Sequence, residues 1–200
     1  GEVAKDKLVT TAGGRAGDAV VMTKGVPLEG AAIIARAKER ELRARGVPAG
    51  TIRRAKAFLS APGLNVLPEA EIACELATVH AMHDPTEGGI ATALVELALA
   101  AGVGLRIDRD RVMIVREGRT LCEAFGLDPL GTIASGALLM TLDPADAGIV
   151  IHALARESID CHFIGQVVAR EQGVMLVEGT QSRPMPVFPQ DEITRLFKEN

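Results

Sequence analysis

Apolar residues fall in short runs separated by Gly- and Pro-containing turns, and the spacing within each run alternates between strand and helix periods. After GGRAGD, the β-branched run over 19–23 predicts a strand. The stretch over 29–45, EGAAIIARAKERELRAR, has an acid at its start and five Arg/Lys beyond it. That is the charge order a helix dipole favours, and Gly46-Val47-Pro48 ends it. Thr51 is placed to cap a second helix running to Leu59, with Ile52, Ala55, Phe58 and Leu59 on one face. A loop over 62–68, a short helix over 69–76 and the extended ATVHAM then deliver the chain to HDPTEGG.

The next segment, IATALVELALAAG, is interrupted only by Thr92 and Glu96, which predicts a helix buried on most sides. VGLRID reads as a strand, REGRTLCEAFG as a helix ending at Gly126, and SGALLMTL as a strand. Asp143 with Pro144 opens another helix, DPADAGIVIHALARE. FIGQVV and GVMLVEG form a closing pair of strands, and a C-terminal helix starts near Gln190. Interleaved helices and strands predict an α/β (α+β) fold, a mixed β-sheet with helices packed on it.

Composition sharpens this picture. In 200 residues there are five Phe, no Trp and no Tyr, so the core is aliphatic and stacking on bases has almost no material. The net charge of -4 supplies no basic field for nucleic acid or a membrane surface, and no apolar run reaches the ~18 residues that span a bilayer. A soluble cytoplasmic protein with small-molecule or protein partners is expected. Cys74, Cys122 and Cys161, odd in number and set in apolar stretches, read as reduced, buried thiols.

The chemistry concentrates in His83-Asp84-Pro85-Thr86-Glu87-Gly88-Gly89. Asp at the N-cap, Pro at the first helical position and Glu at the third are the parts of a capping box, which needs no ligand. Asp143-Pro144-Ala145-Asp146 has the same parts but no glycine pair. Two glycines in a first helical turn cost roughly 1 kcal/mol each against Ala, so something there needs bare backbone. Close packing is one reading. The other is phosphate approaching helix N–H groups, with Asp84 holding Mg²⁺ against the phosphate oxygens and Thr86 donating its hydroxyl. The turn Thr23 to Gly30 lacks a Walker sequence, but Gly25 and Gly30 could line a neighbouring site. His80 and His83 form an H-x-x-H pair, yet alternation along a strand sends them to opposite faces, against a zinc site. Cys161-His162 leaves open a stand-alone hydrolase with a thiol nucleophile.

AMHDPTEGGIATALVELALAAGVGLRID, then LCEAFGLDPL and SGALLMTL, resembles the C-terminal domain of AIR synthase-related proteins. This superfamily includes aminoimidazole ribonucleotide synthase, selenophosphate synthetase, thiamine monophosphate kinase and the hydrogenase maturation protein HypE. D-P-T-x-G-G-[LI]-A and G-L-D-P-L in this order give a HypE-like pattern, and GDAVVMTKGVPLEGAAI looks like the start of the domain. The resemblance implies residues 17–200 as the C-terminal domain and 1–16 as a lead-in from a missing N-terminal domain that carries the Mg-nucleotide motif. It further implies ATP and Mg²⁺ as cofactors of a homodimeric full-length enzyme, with Asp84, Thr86, Gly88 and Gly89 facing the cleft and Gly25 and Gly30 nearby. The isolated domain is expected to be inactive and to hold no cofactor. HypE ends in a Pro-Arg-Ile-Cys tail, whereas this chain ends RLFKEN, so the expected acceptor is a different small molecule. A rival reading is a non-catalytic interaction domain that keeps the fold and uses DPTEGG as a helix cap.

Overall fold

The computed structural model describes residues 3, 4 and 7–197. At its centre is β1 (Ala19–Thr23), the predicted strand, with all five residues buried. Alternation sends Val20 and Met22 into one core and Ala19 and Val21 into another, so this strand divides two apolar layers. It pairs antiparallel with β4 (Leu139–Leu142) on one side and β5 (Cys161–Val168) on the other. β2 (Val79–His83), β3 (Gly104–Asp108), β6 (Val174–Glu178) and β7 (Gln181–Pro184) complete a mixed sheet in the order β2-β4-β1-β5-β3-β6-β7.

Helix α5 (Gly89–Ala101) fills one layer, with Ile90, Leu94 and Leu97 against Met22, Leu105, Ile107 and Leu139. Seven of its thirteen residues are buried, and only Glu96, Leu99 and Ala100 are exposed, so the helix is buried around more than half of its circumference and open along one strip. Helices α4 (Leu67–Leu76) and α7 (Pro144–Arg156) cover the opposite layer over Val21, Met140 and Leu142. A third cluster joins α1 (Leu28–Ala37), α2 (Glu39–Ala44), α3 (Ala49–Ala57) and α6 (Arg116–Phe125) around Ile34, Leu42, Ile52 and Leu121.

The expected helix over 29–45 is two helices, broken at Lys38, whose φ of -119° leaves the helical region. Lys38 falls where the stripe Ala31, Ile34, Ala35 and Leu42 is interrupted, and the break lets Leu42 return to the core. Helix α3 begins at Ala49 behind Pro48, so Thr51 lies inside it and caps nothing, while Leu59 is 41% exposed. The pair FIGQVV and GVMLVEG is separated by β3, which is antiparallel to β5 and parallel to β6. The expected C-terminal helix is a short 3₁₀ segment, Glu192–Leu196. Asp143 does cap α7, accepting the Ala145 N–H at 2.9 Å.

The lead-in packs on the domain from Thr11 onward. The Thr11 hydroxyl donates to the Met82 carbonyl at 3.1 Å, and a Cβ on Gly13 would lie 1.8 Å from the His80 carbonyl oxygen. Residues 1, 2, 5 and 6 of that lead-in lie outside the described residues. No helix among the described residues is long and apolar enough to cross a membrane.

Candidate functional site

Strands β1 and β2 are both antiparallel to β4, so they run parallel to each other and their carboxyl ends meet where β4 begins. Three segments converge there: Lys24 to Gly30, the turn after β1 and the first residues of α1; Asp84 to Gly89, the turn after β2 and the first residue of α5; and Thr132 to Leu138 before β4. The Thr86 carbonyl accepts the amides of Gly89 (3.1 Å) and Ala134 (3.3 Å), Gly30 donates to the Ile133 carbonyl (3.1 Å), and the Thr23 hydroxyl accepts the Leu138 amide (3.0 Å). The sheet topology thus brings together residues more than a hundred positions apart.

The capping box does not form at Asp84. Helix α5 starts at Gly89, and Gly88 in the left-handed region occupies the N-cap position with no side-chain cap of its own. Gly88 instead donates to the buried Asp191 carboxylate at 2.7 Å. Asp191 caps the C-terminal 3₁₀ segment, accepting the Ile193 amide, and its neighbour Glu192 accepts the Asp128 amide at 3.0 Å. One short segment therefore clamps both the DPTEGG and the GLDPL turns, a role that nothing in the local sequence signals.

Both glycines of the pair have positive φ, 76° at Gly88 and 65° at Gly89. A Cβ on Gly89 would lie 2.4 Å from the Leu130 carbonyl oxygen and 2.8 Å from the Thr132 amide nitrogen, while one on Gly30 would lie 2.5 Å from the Thr132 methyl. Gly30 and Gly89 thus grip the same segment, and a Cβ on Gly25 would meet Val115 at 3.0 Å. The amides of Gly25, Gly30, Gly88 and Gly89 all have protein acceptors. Close approach to the Leu130 to Ile133 segment explains Gly30 and Gly89, and positive φ explains Gly25 and Gly88.

Asp84, Thr86 and Glu87 are exposed on the turn, with Pro85 buried between them. Desolvation pushes the Asp84 carboxyl above its ordinary pKa, opposed by the Gly136 amide, His83 and Lys24 and reinforced by Glu29. Lys24, a non-glycine residue at φ 55°, donates from Nζ to the Asn65 carbonyl at 2.6 Å and pairs with Glu69 Oε1 at 2.6 Å. Glu69 is fully buried and its oxygens lack a well-directed hydrogen bond, so the contact is an ion pair first. Lys24 and Glu29 were visible as residues of the TKGVPLEG turn. Their closeness to Asp84 follows only from the parallel placement of β1 and β2.

The remaining candidates separate from this site. His80 bonds Asp18 and His83 bonds Glu96, each at 2.9 Å, so the H-x-x-H pair does not converge. No group of three or more His, Cys, Asp or Glu that could hold a metal occurs among the described residues. Asp84 fits one share of a Mg²⁺ site, because that ion commonly takes one or two carboxylates and completes its shell with water and phosphate oxygens. Burial raises the Cys161 and Cys122 thiols to about 12, which removes Cys161 as a ready nucleophile. Cys74, expected to be buried, is exposed.

Residues 15–178 match the family described as AIR synthase related protein, C-terminal domain. The carbamoyl dehydratase HypE of Rhizobium leguminosarum bv. viciae is 31% identical over 157 residues, covering 78% of this chain and 42% of that protein. A crystal structure of the hydrogenase maturation protein HypE in complex with ATP superposes with a TM-score of 0.69 at 21% identity, over 96% of this chain and 57% of that one. Thiamine monophosphate kinase from Stenotrophomonas maltophilia K279a gives 0.66 at 16% identity, over 87% and 54%. The chain thus spans about half the length of the proteins it matches.

Proposed function

Because the chain belongs to the AIR synthase related family, as a HypE-like C-terminal domain, we propose that it forms the substrate and phosphate side of a cleft in an ATP-dependent enzyme. The nucleotide is held mainly by an N-terminal domain of the same protein, and two copies of the full protein pair. The observation that carries this reading is the convergence of Asp84, Thr86 and Lys24 at the carboxyl ends of β1 and β2. Ligands of open α/β sheets commonly bind at such strand ends. Support for ATP comes from the HypE relative whose structure holds it.

In this proposal Asp84 is the one carboxylate given to Mg²⁺, and Thr86 donates its hydroxyl to a phosphate oxygen. When bound, the ion neutralises charge on the phosphate oxygens. Gly30 and Gly89 let the turns close on the Leu130 to Ile133 segment, and Gly25 and Gly88 supply the left-handed backbone beside them, so that the four shape the floor of the site. The isolated domain lacks the other half of the cleft and so turns over no ATP. A cytoplasmic setting and a small-molecule acceptor complete the proposal.

The test is nucleotide titration and ATP turnover with Mg²⁺ by the protein carrying both halves, compared with Asp84→Ala. Losing a positioned charged group at a phosphoryl-transfer site is expected to lower turnover on the order of a hundredfold or more, with the fold intact by circular dichroism. Unchanged turnover would remove Asp84 from the mechanism.

A further inference from the structure

Residues 36–56 hold eight Lys/Arg and two acids, while the rest of the chain holds fourteen Lys/Arg against twenty-four Asp/Glu. An acidic protein thus carries one strongly basic lobe, formed by the end of α1, by α2 and by α3. Between α2 and α3 lies a groove of about 240 Å³ lined by Arg43, Arg53, Lys56 and Glu39, with Ile52 in its floor. Lys56 and Arg43 hold the Glu39 carboxyl below its ordinary pKa and thereby use part of their own charge. Arg53, and Arg40 one turn before Arg43 on α2, are exposed and have no acidic partner among the described residues. None of these residues belongs to the Asp84 turn.

We infer that this lobe is a docking surface for a carboxylate-rich face of another protein. A positive lobe on a molecule of opposite net charge steers and orients an acidic partner over a Debye length, ~8–10 Å in ordinary salt. The lobe is mostly arginine, whose planar fork pairs with carboxylates bidentately. The pattern fits a protein rather than a nucleic acid. Glu39 and Glu41 interrupt the positive field along which a phosphate backbone would run, and the aromatic rings of the lobe are engaged: Phe58 is half-buried and Phe125 lies 4.8 Å under the Arg45 guanidinium. Exposed Ala49 at the groove gives the partner a small apolar contact, and the arginine rim gives it orientation.

The experiment titrates the 200-residue chain into a fluorescent oligoglutamate peptide of roughly twelve residues and follows anisotropy at about 50 and 300 mM salt. Binding at the lower salt is expected, weakening about tenfold or more at the higher salt and about tenfold in Arg40→Glu/Arg53→Glu. Arg40→Gln/Arg53→Gln should lose an intermediate amount, which covers the case in which charge reversal disturbs folding. Arg170→Glu/Arg183→Glu makes the same change in net charge at exposed positions outside the lobe and should bind like the unaltered chain. Absence of binding at low salt, equal weakening in the two reversed variants, or tighter binding of a duplex RNA of matched charge would overturn the inference.

Discussion

The Asp191 carboxylate accepts the backbone N–H of Gly88 at 2.7 Å, across 103 residues of chain. It ties the C-terminal 3₁₀ segment to the turn that carries Asp84. Asp191 is 7% exposed, and its other oxygen accepts the Ile193 amide. Removing it leaves a buried amide unpaired, so Asp191→Ala should cost about 1–3 kcal/mol by denaturant unfolding. Asp191→Asn, which keeps an acceptor, should cost less; equal stability of the alanine variant and the parent would refute the clamp.

Gly89 and Gly102 have nearly the same φ, 65° and 67°, but different surroundings. A Cβ at Gly102 meets nothing within 4 Å, whereas at Gly89 it meets backbone at 2.4 Å. Gly102→Ala should therefore cost only the left-handed penalty of roughly 1–2 kcal/mol. Gly89→Ala must also move the segment around Leu130 and should be clearly worse in the same assay. Similar losses at the two positions would show that conformation alone, not close approach, selects glycine at 89.

Lys24 and Glu69 form the buried ion pair beside the site. Lys24→Met or Glu69→Leu alone strands a charge and should destabilise by about 3–5 kcal/mol, whereas the double variant should recover much of that. A double-mutant cycle measures the difference, and additive losses would mean that the two side chains do not depend on each other.

Asp84 has its folded pKa raised, chiefly by desolvation. Its ionised form therefore opposes folding: stability from this group is fully present below the unfolded value of 3.8 and falls as pH rises through the folded pKa. Asp84→Asn should raise the Tm at neutral pH, and the gain should shrink as pH falls toward that lower value. A gain that grows on acidification would have the wrong sign.

Of the three free cysteines, Cys74 is exposed and Cys122 and Cys161 are buried. A thiol reagent should titrate one group in the native chain and all three after unfolding, and rapid native labelling of Cys161 would contradict its packing.

Elements whose cause is local were legible in the sequence. The Asp143-Pro144 start of α7 needs only its own next turn, and β1 and α5 declare themselves by apolar runs. Asp84-Pro85 has the same letters and a different outcome, because two left-handed glycines delay the helix to Gly89 and a distant carboxylate supplies the acceptor. Pairing partners were not legible either. Apolar alternation places a strand in a sheet but does not name its neighbour, so the insertion of β3 between β5 and β6 left no trace in either strand. β7, with four exposed residues reading QSRP, offers no alternation at all. In the site, the residues of each turn were visible, while the placing of the Lys24 turn beside the Asp84 turn is a property of the sheet.

The position of β1 also governs how this chain must fold. Val20 faces Thr141 on one side and Gly165 on the other, so this strand gains its first sheet neighbour only once β4 has been made and its second only once β5 has. Closing loops of that length before any pairing is gained gives slow, high-contact-order folding, and a ribosome-bound fragment ending before β4 leaves the apolar run Ala19 to Met22 unpaired. Synthesis from the N-terminus therefore cannot assemble this sheet progressively, and the central strand stays a liability for aggregation until the last third of the chain arrives.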